Sequence, residues 1–299
     1  MSIIVSNLTK KYGEQLALNN ISFEIPKGQI VGFLGPNGAG KSTTMKILTC
    51  YLPQSSGIAK VCGFDTIENP IEVKTKIGYL PESNPLYKDM YVKEFLTYVA
   101  KVFKLDNPNA RVAEMLGMTG LTKEQDKKIH QLSKGYKQRV GIAQAMIHNP
   151  EVLILDEPTS GLDPNQLDEI RKLIIKIGKE KTVMLSTHIM QEVEAMCERV
   201  IIINKGEIVA DNTAKNIKNL GRKEAVIKVE FSEKLSLDNL PNISKIENEG
   251  NIYHIYLKDT QIDIRQDIFQ LAVSQNSSIL SMSVEEKDLE IVFKELTNK

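Results

Sequence analysis

The spacing of apolar and polar positions predicts a chain that alternates between strands and helices. Residues 1–34 alternate with period two in IIVSNL, ISFEI and QIVGFL, with turns at Tyr12-Gly13 and Pro26-Lys27-Gly28. From 90 to 103, apolar side chains recur at helical spacing and form one stripe. The remaining elements predicted up to residue 210 are a helix at 41–51, a strand at 152–155, a helix at 164–178, a strand at 182–186, a helix at 189–197 and a hairpin at 199–210 around Asn204-Lys205-Gly206. This order is typical of a parallel sheet covered by helices.

A polar stretch at 211–222 predicts a boundary between a first domain, 1–212, and a smaller domain, 223–299. The elements predicted in the second domain are a strand at 225–231, a short helix near 235–239, strands at 243–247 and 251–258, a helix at 264–275, a strand at 278–285 and a helix at 287–297. Their order contains the β-α-β-β-α-β plan of a ferredoxin-like α+β domain, with one helix added.

Composition narrows the class of protein. At about 150 residues per domain, 299 residues fit two domains. The 38 basic and 38 acidic side chains cancel, so no overall basic field attracts nucleic acid, and we expect no nucleic-acid partner. Cys50, Cys62 and Cys197 form no CxxC pair and are interpreted as free thiols in a reducing compartment. We expect no secretory signal. No stretch approaches the ~18 consecutive apolar residues of a membrane-spanning helix, so a function at a membrane would need another chain to supply the membrane-spanning part.

Residues 35–42, GPNGAGKS, predict a phosphate-binding loop between a strand and a helix. Gly35, Gly38 and Gly40 permit backbone angles that turn N–H groups toward phosphate oxygens, and the following helix adds its positive end. We expect Lys41 to reach the β- and γ-phosphates and the Ser42 hydroxyl to bind Mg²⁺. The alternative is a glycine-rich turn before a helix.

Two acids follow a strongly apolar strand in EVLILDEP. The strand pattern predicts a place in the centre of the sheet, with Asp156 and Glu157 at its carboxyl end, where ligands bind in open α/β sheets. We expect Asp156 to hold Mg²⁺ through its water shell and Glu157 to orient and deprotonate the attacking water. His188 follows TVMLST, a strand predicted beside the first, and could approach the γ-phosphate. Tyr12 is either a platform for adenine or an ordinary strand aromatic.

Together these elements resemble the ATP-binding cassette (ABC) superfamily over about residues 3–212. The resemblance implies a RecA-like core, an antiparallel β subdomain and a helical insert at about 84–140. It places the aromatic adenine contact on Tyr12 and the switch histidine on His188. The family's other motifs fall on Gly35–Thr43 (Walker A: Gly35, Pro36, Asn37, Gly38, Ala39, Gly40, Lys41, Ser42, Thr43), Ile77–Glu82 (Q-loop), Leu132–Arg139 (signature), Val152–Glu157 (Walker B) and Ser160–Asp163 (D-loop).

Two departures from the family pattern carry information. Glu82 stands at the metal-binding Q-loop position, where Gln is usual, and it keeps an oxygen ligand while adding a charge. The signature reads LSKGYKQR, with Lys134 and Tyr136 in place of Gly and Gln. Ser133 and Gly135 remain, and the resemblance implies that they touch the γ-phosphate bound by a partner subunit. Ser133 is also a good helix N-cap.

The variants GYLPE and LSKGY are similar to ABC subunits encoded apart from their permease, of the drug- and multicopper-exporter type. The sequence around these motifs looks most like that of the gliding-motility-associated ATP-binding subunits of Bacteroidetes-type bacteria. The resemblance implies an ATPase that uses ATP and Mg²⁺. Its expected partners are transmembrane permease subunits and a second ATP-binding subunit, and its place is the cytoplasm, at the cytoplasmic face of the inner membrane. The alternatives are a regulatory ABC ATPase without a permease, acting on ribosomes or DNA, and a chain whose second domain serves mainly in dimerisation or regulation.

Overall fold

The computed structural model describes residues 1–219, 226–237, 240–259, 262–285 and 289–297. The chain divides into two compact units, Met1–Ala214 and Lys215–Lys299. Among the described residues, no helix combines the length and the apolar character that a bilayer-spanning segment requires.

A six-stranded sheet forms the centre of the first unit. Its strands, in spatial order, are β10 (Glu207–Thr213), β9 (Arg199–Asn204), β3 (Ile30–Leu34), β8 (Thr182–Thr187), β7 (Val152–Asp156) and β6 (Ile77–Leu80). All neighbours are parallel except the β9–β10 hairpin, which confirms the predicted turn. The prediction of a central acid-bearing strand is wrong in detail, because β7 lies next to the edge strand β6. Its five residues are nevertheless buried, since a parallel sheet covered by helices hides both faces.

An antiparallel sheet packs into the same core. It comprises β2 (Gln15–Ile25), β1 (Ile3–Tyr12), β4 (Ser56–Val61) and β5 (Phe64–Asp65). Alternate residues of β1 and β2 enter a hydrophobic cluster that includes Leu18, Phe33 and Met45, so both sheets and the helix after the phosphate loop share one core. The period-two pattern of β1 and β2 is explained by this half-buried sheet, whereas β3, predicted from the same pattern, belongs to the parallel sheet and is buried on both faces.

Eight helices lie in or begin within this part of the chain: α1 (Lys41–Leu48), α2 (Pro70–Lys76), α3 (Val92–Val102), α4 (Pro108–Met118), α5 (Lys134–Met146), α6 (Pro164–Gly178), α7 (Met190–Met196) and α8 (Ala214–Asn219). The stripe predicted at 90–103 is confirmed as far as Val99, because α3 buries Val92, Phe95, Leu96 and Val99, but Phe103 follows the helix and is exposed. The helix predicted to reach residue 51 ends earlier, since the backbone at Cys50 turns to a φ of +55°. The predicted boundary segment 211–222 is not a plain linker: it begins with the end of β10 and continues into α8.

The second unit contains an antiparallel sheet of order β12 (Ile243–Glu249), β13 (Ile252–Leu257), β11 (Val226–Phe231) and β14 (Ile279–Glu285), with α9 (Arg265–Ser274) and α10 (Leu289–Thr297). This is the strand order of a ferredoxin-like domain. The helix predicted near 235–239 is wrong for 235–237, which are irregular, and 238–239 lie outside the described residues. The connection is held instead by Tyr253, whose hydroxyl accepts from Leu235 N at 3.0 Å and donates to Leu235 O at 2.9 Å.

Candidate active site

The phosphate loop adopts a conformation that requires glycine. The backbone φ is +79° at Gly38 and +111° at Gly40, a region that residues with a side chain rarely enter. A Cβ on Gly40 would also lie 2.7 Å from the Leu18 side chain and 2.9 Å from Ala17 O. Gly40 therefore serves both the turn and the close packing of the loop against β2.

The β9–β10 turn supports this loop from behind. Gly206 N donates to Ala39 O at 3.0 Å, and Asn19 N donates to Gly206 O at 2.8 Å. Gly206 itself has a φ of +81°, and a Cβ there would meet Ala17 O at 2.9 Å. The turn thus joins the loop to β2 by backbone hydrogen bonds. Sequence reasoning predicted the hairpin but not this contact, which joins residues far apart in the chain.

Lys41 is buried at the base of the loop. Its Nζ donates to Gly35 O at 2.7 Å and to Pro36 O at 3.3 Å, and it lies 3.9 Å from Glu157 Oε1. Burial lowers the pKa of the Lys41 ammonium, and the negative charges of Glu157, Asp156 and Glu82 oppose that shift. The acids therefore help to keep a buried positive charge at the position where phosphate is expected.

The two acids at the end of β7 are tied to the neighbouring strand by one hydroxyl. Ser186 Oγ donates to Asp156 Oδ1 at 2.6 Å and accepts from Glu157 N at 2.9 Å. Glu157 has a φ of +50°, an unusual conformation for a residue with a side chain, with a cost of about 1–3 kcal/mol. Ser186 is buried and helps hold this conformation. It was missed from the sequence, because its partners lie about thirty residues earlier in the chain.

His188 follows β8, and β8 lies beside β7 as predicted. Its Nδ1 lies 2.9 Å from Glu157 Oε2, within hydrogen-bonding distance. Glu157 thus has His188 at one oxygen and Lys41 near the other. The imidazole is half exposed, whereas the carboxylate is almost fully buried. The pair can therefore meet a ligand in the cleft.

An open cleft of about 740 Å³ brings most of the predicted residues together. The predicted residues that line it are Tyr12, Pro36, Asn37, Gly38, Ala39, Gly40, Lys41, Ser42, Thr43, Glu82, Glu157 and His188. Residues that were not predicted also line it, namely Gln15, Leu16, Ala17, Ser160 and Lys205. Asp156 does not line the cleft and is 2% exposed, although its charge reaches Lys41.

Gly35 does not line the cleft either, and the two predicted residues of the signature also lie outside it. Ser133 and Gly135 begin α5, where Ser133 Oγ accepts from Tyr136 N at 3.3 Å and so caps the helix. Gly135 N donates to Gln166 Oε1 at 3.1 Å. Neither residue lines the cleft that contains Lys41. Within one chain, the signature and the phosphate loop therefore do not form a common site.

The donor set suits a nucleotide with a hard cation. The loop supplies N–H groups and one ammonium, as a triphosphate requires. Ser42 and Glu82 at the cleft are oxygen ligands, the type that Mg²⁺ prefers. Asp156 is already bonded to Ser186, which suits a contact through water more than direct ligation. Among the described residues, no group of three or more His, Cys, Asp or Glu side chains could hold a metal by itself.

Comparison with known proteins agrees with this geometry. The ABC transporter family model matches residues 18–160. The linearmycin resistance ATP-binding protein LnrL of Bacillus subtilis is 33% identical to this chain and covers 98% of it and 97% of its own length. The bacitracin transport ATP-binding protein BcrA of Bacillus licheniformis is also 33% identical, over 99% of this chain and 98% of its own.

A solved structure extends the likeness to the fold. The ATP-binding cassette MJ0796, in a dimeric post-hydrolysis state bound to ADP and Pi, superposes with a TM-score of 0.65 and 29% identity. The match covers 71% of this chain and 98% of that cassette. The chain therefore belongs to the ABC transporter family, as one of its ATP-binding ATPase subunits.

Proposed function

We propose that this chain hydrolyses ATP to power a separate transmembrane permease in export. The observation that carries the proposal is the buried carboxylate of Glu157, held between His188 and Lys41 at the wall of the cleft. LnrL and BcrA, which match nearly the whole chain, are named for antibiotic resistance and antibiotic transport. Their names support transport as the work that this ATPase drives.

Glu157 is proposed as the general base. Its carboxylate lies at the end of β7 and lines the cleft, so it can accept the proton of a water that attacks the γ-phosphate. The positive φ aims this side chain and is maintained by the bond to Ser186. His188 Nδ1, 2.9 Å away, is proposed to orient the carboxylate, and its half-exposed imidazole lines the same cleft.

Lys41 is proposed to bind the β- and γ-phosphates. Its ammonium is held by two loop carbonyls and lies near Glu157, so phosphate oxygens can replace these weaker partners. Mg²⁺, when bound, neutralises phosphate charge, and Ser42, Glu82 and Asp156 are the residues that would hold it, Asp156 through water. In the nucleotide-free subunit, the carboxylates of Glu82 and Asp156 instead offset the positive charge of Lys41.

Tyr12 is proposed as the adenine platform. Its ring is 48% exposed and lines the cleft beside Gln15 and Leu16. Lys10 Nζ lies 5.2 Å from the ring centroid, a cation–π contact that steadies the ring from outside the cleft. An aromatic side chain so exposed at the end of β1 gains little from the core, which favours a role in ligand binding.

A second ATP-binding subunit is proposed to complete the site. Ser133 and Gly135 lie outside this chain's own cleft, yet they begin a helix whose N–H groups suit an anion. The similar cassette MJ0796 is dimeric. In the proposed dimer, each ATP lies between one subunit's Lys41 and its partner's signature. ATP binds this closed state better and shifts the population toward it, and hydrolysis reopens it.

The proposed permease site lies along α3. Two open concavities adjoin this helix: one is lined by residues that include Tyr91, Tyr98 and Lys101, and the other by Tyr51, Phe103 and further residues. Tyr51 is 76% exposed and Val102 60%. So much exposed apolar surface beside one helix is typical of a protein-binding site. A cytoplasmic segment of the permease is the proposed occupant, and the proposed location of this subunit is therefore the cytoplasmic face of the inner membrane.

The narrower proposal is a permease of the gliding-motility type. It is supported by the amino-acid sequences of the Q-loop and signature segments and by the presence of a second unit. Loss of surface spreading after disruption of the gene, restored by the intact gene but not by one encoding Glu157→Gln, is the expected result. The alternative of a ribosome- or DNA-associated regulator gains no support from relatives named for transport.

Substitution Glu157→Gln tests the catalytic proposal. It keeps the size and one hydrogen-bond acceptor but removes the base, so kcat is expected to fall about 10²- to 10⁴-fold. ATP affinity is retained, and an ATP-trapped dimer accumulates, as measured by light scattering after gel filtration. Unchanged steady-state hydrolysis would exclude Glu157 as the base.

Substitution Val102→Asp tests the permease proposal. The charge lies on the exposed face of α3, away from the cleft, so ATP hydrolysis of the isolated subunit should not change. Co-purification of a multispanning protein from solubilised membranes is expected to be lost. Ile262→Asp, at an apolar position in the second unit that is 50% exposed, is the matched control and should retain the partner. Ribosomal proteins in place of a permease would contradict the proposal.

A further inference from the structure

Gly135 is covered by a side chain of its own subunit. Gly135 N donates to Gln166 Oε1 at 3.1 Å. The three atoms nearest to a Cβ built on Gly135 all belong to Gln166, at 2.6, 2.8 and 2.9 Å. Gly135 is buried as a result, although it lies at the first turn of α5. A residue that is to meet an anion from outside the subunit is therefore closed off from outside.

Gln166 is also joined to the D-loop. It lies in the first turn of α6, and its own N–H donates to Asp163 Oδ1 at 3.0 Å. The Lys134 side chain lies over Gly161, within the same D-loop. The signature and the D-loop are thus packed together in this subunit, and Gln166 is the residue that hydrogen-bonds to both.

We propose that Gln166 is a positioning residue that holds the Gly135 N–H until the partner's ATP replaces it. The inference rests on the proposed two-subunit site, in which the partner-bound γ-phosphate uses this N–H. A hydrogen bond to an anionic oxygen is roughly twice as strong as one to a neutral amide oxygen, so phosphate displaces Gln166. Only the Gln166 side chain has to move, because its bond to Asp163 is made by the backbone N–H.

The bond makes closure of the dimer conditional on a γ-phosphate. A net contribution typical of one neutral hydrogen bond corresponds to about three- to tenfold in an equilibrium constant. A symmetric dimer breaks two such bonds, so the factors multiply to about 10- to 100-fold in the dimer dissociation constant. Closure without nucleotide, or with a nucleotide that lacks the γ-phosphate, breaks the bonds and gains nothing in return.

Two substitutions of opposite effect test the proposal in full-length protein carrying Glu157→Gln. Gln166→Ala removes the competitor and should lower the dimer dissociation constant in Mg-ATP by about 10- to 100-fold. Gln166→Glu keeps the acceptor, strengthens it with a charge and repels phosphate, so it should raise that constant. Asn165→Ala, an exposed neighbour in the same helical turn, is the control and should change nothing. Sedimentation equilibrium measures all of these constants.

The readouts separate positioning from a purely structural role. A structural role predicts weaker dimers for Gln166→Ala and partial rescue by Gln166→Glu, and that pattern would overturn the proposal. ATP affinity of the monomer, measured at protein concentrations below dimerisation, should be unchanged in both variants, because Gln166 does not line the subunit's own cleft. No ATP-dependent dimer in the Glu157→Gln parent would overturn the two-subunit site itself, and this inference with it.

Discussion

Substitution Ser186→Ala removes the hydroxyl that joins the two acids to β8. Ser186 is completely buried, donates to Asp156 at 2.6 Å and accepts from Glu157 N at 2.9 Å. Loss of a bond to a charged group costs about 1.5–3 kcal/mol, and a buried N–H left without an acceptor costs about 1–3 kcal/mol. Together the two losses amount to about 2.5–6 kcal/mol. Because a water can replace part of the lost hydroxyl, we expect the free energy of unfolding to fall by about 2.5–4 kcal/mol, the lower half of this range.

Calorimetry of the full-length variant measures this loss. For a unit of this size the midpoint moves about 2–4 °C per kcal/mol, so a fall of about 5–16 °C is expected. If the two units unfold in separate transitions, the transition whose midpoint temperature rises when Mg-ATP is added belongs to the unit that binds nucleotide. The kcat should fall as well, since Glu157 loses the bond that stabilises its positive φ.

A matched control distinguishes this bridge from any lost serine hydroxyl. Ser274 is exposed and its Oγ donates to Leu271 O at 2.7 Å in the second unit. Ser274→Ala should change the free energy of unfolding by no more than about 0.5 kcal/mol. A Ser186→Ala loss below about 1 kcal/mol would refute the argument, because it would mean that the two bonds are replaced without cost.

Further predictions concern the phosphate loop and one histidine. Lys41→Met removes the buried ammonium, so ATP affinity measured by calorimetry should fall about 10- to 150-fold. An unchanged affinity would contradict the assignment of Lys41 to phosphate. Gly40→Ala should abolish ATP binding, because it combines backbone strain with a clash of the new Cβ. In the control Gly28→Ala, where φ is +73° and the space is open, the free energy of unfolding should fall only by the conformational cost of about 1–2 kcal/mol. Burial lowers the pKa of His148 below 6.5; the unfolded chain therefore binds more protons there, and stability falls as pH drops through 6.5 toward the lower folded value. His148→Gln should flatten that part of a plot of urea midpoint against pH, and an unchanged slope would contradict the assignment.

Local pattern was sufficient for the phosphate loop and the acid-bearing strand. A glycine-rich loop between a strand and a helix, and four apolar residues before Asp156 and Glu157, each describe one continuous segment. The neighbouring strand and His188 followed from the order of elements, because parallel strands place their carboxyl ends at one edge of a sheet. The structure brings Glu157 and His188 to 2.9 Å.

Local pattern failed where the backbone has several ways to satisfy its hydrogen bonds. Residues 235–237 carry apolar and polar side chains that suit a short helix. The Tyr253 hydroxyl, however, forms hydrogen bonds with both the N–H and the C=O of Leu235. A helix so short is unstable by itself, since nucleation costs more than its few bonds return. A contact from β13 therefore decides the conformation of this segment.

By itself, the sequence determined the candidate residues, because a loop of glycines and lysine between a strand and a helix is typical of phosphate binding, and acids after a buried strand are typical of metal binding and water activation. Only the tertiary structure decided what holds those residues in place. Ser186 joins Asp156 to Glu157, Gly206 supports the loop, and Gln166 covers Gly135. Each of these contacts joins segments that are distant in the chain, and a serine, a glycine or a glutamine has no pattern that predicts its partner. The physical reason is that hydrogen bonds depend on position in space, whereas motifs depend on order along the chain.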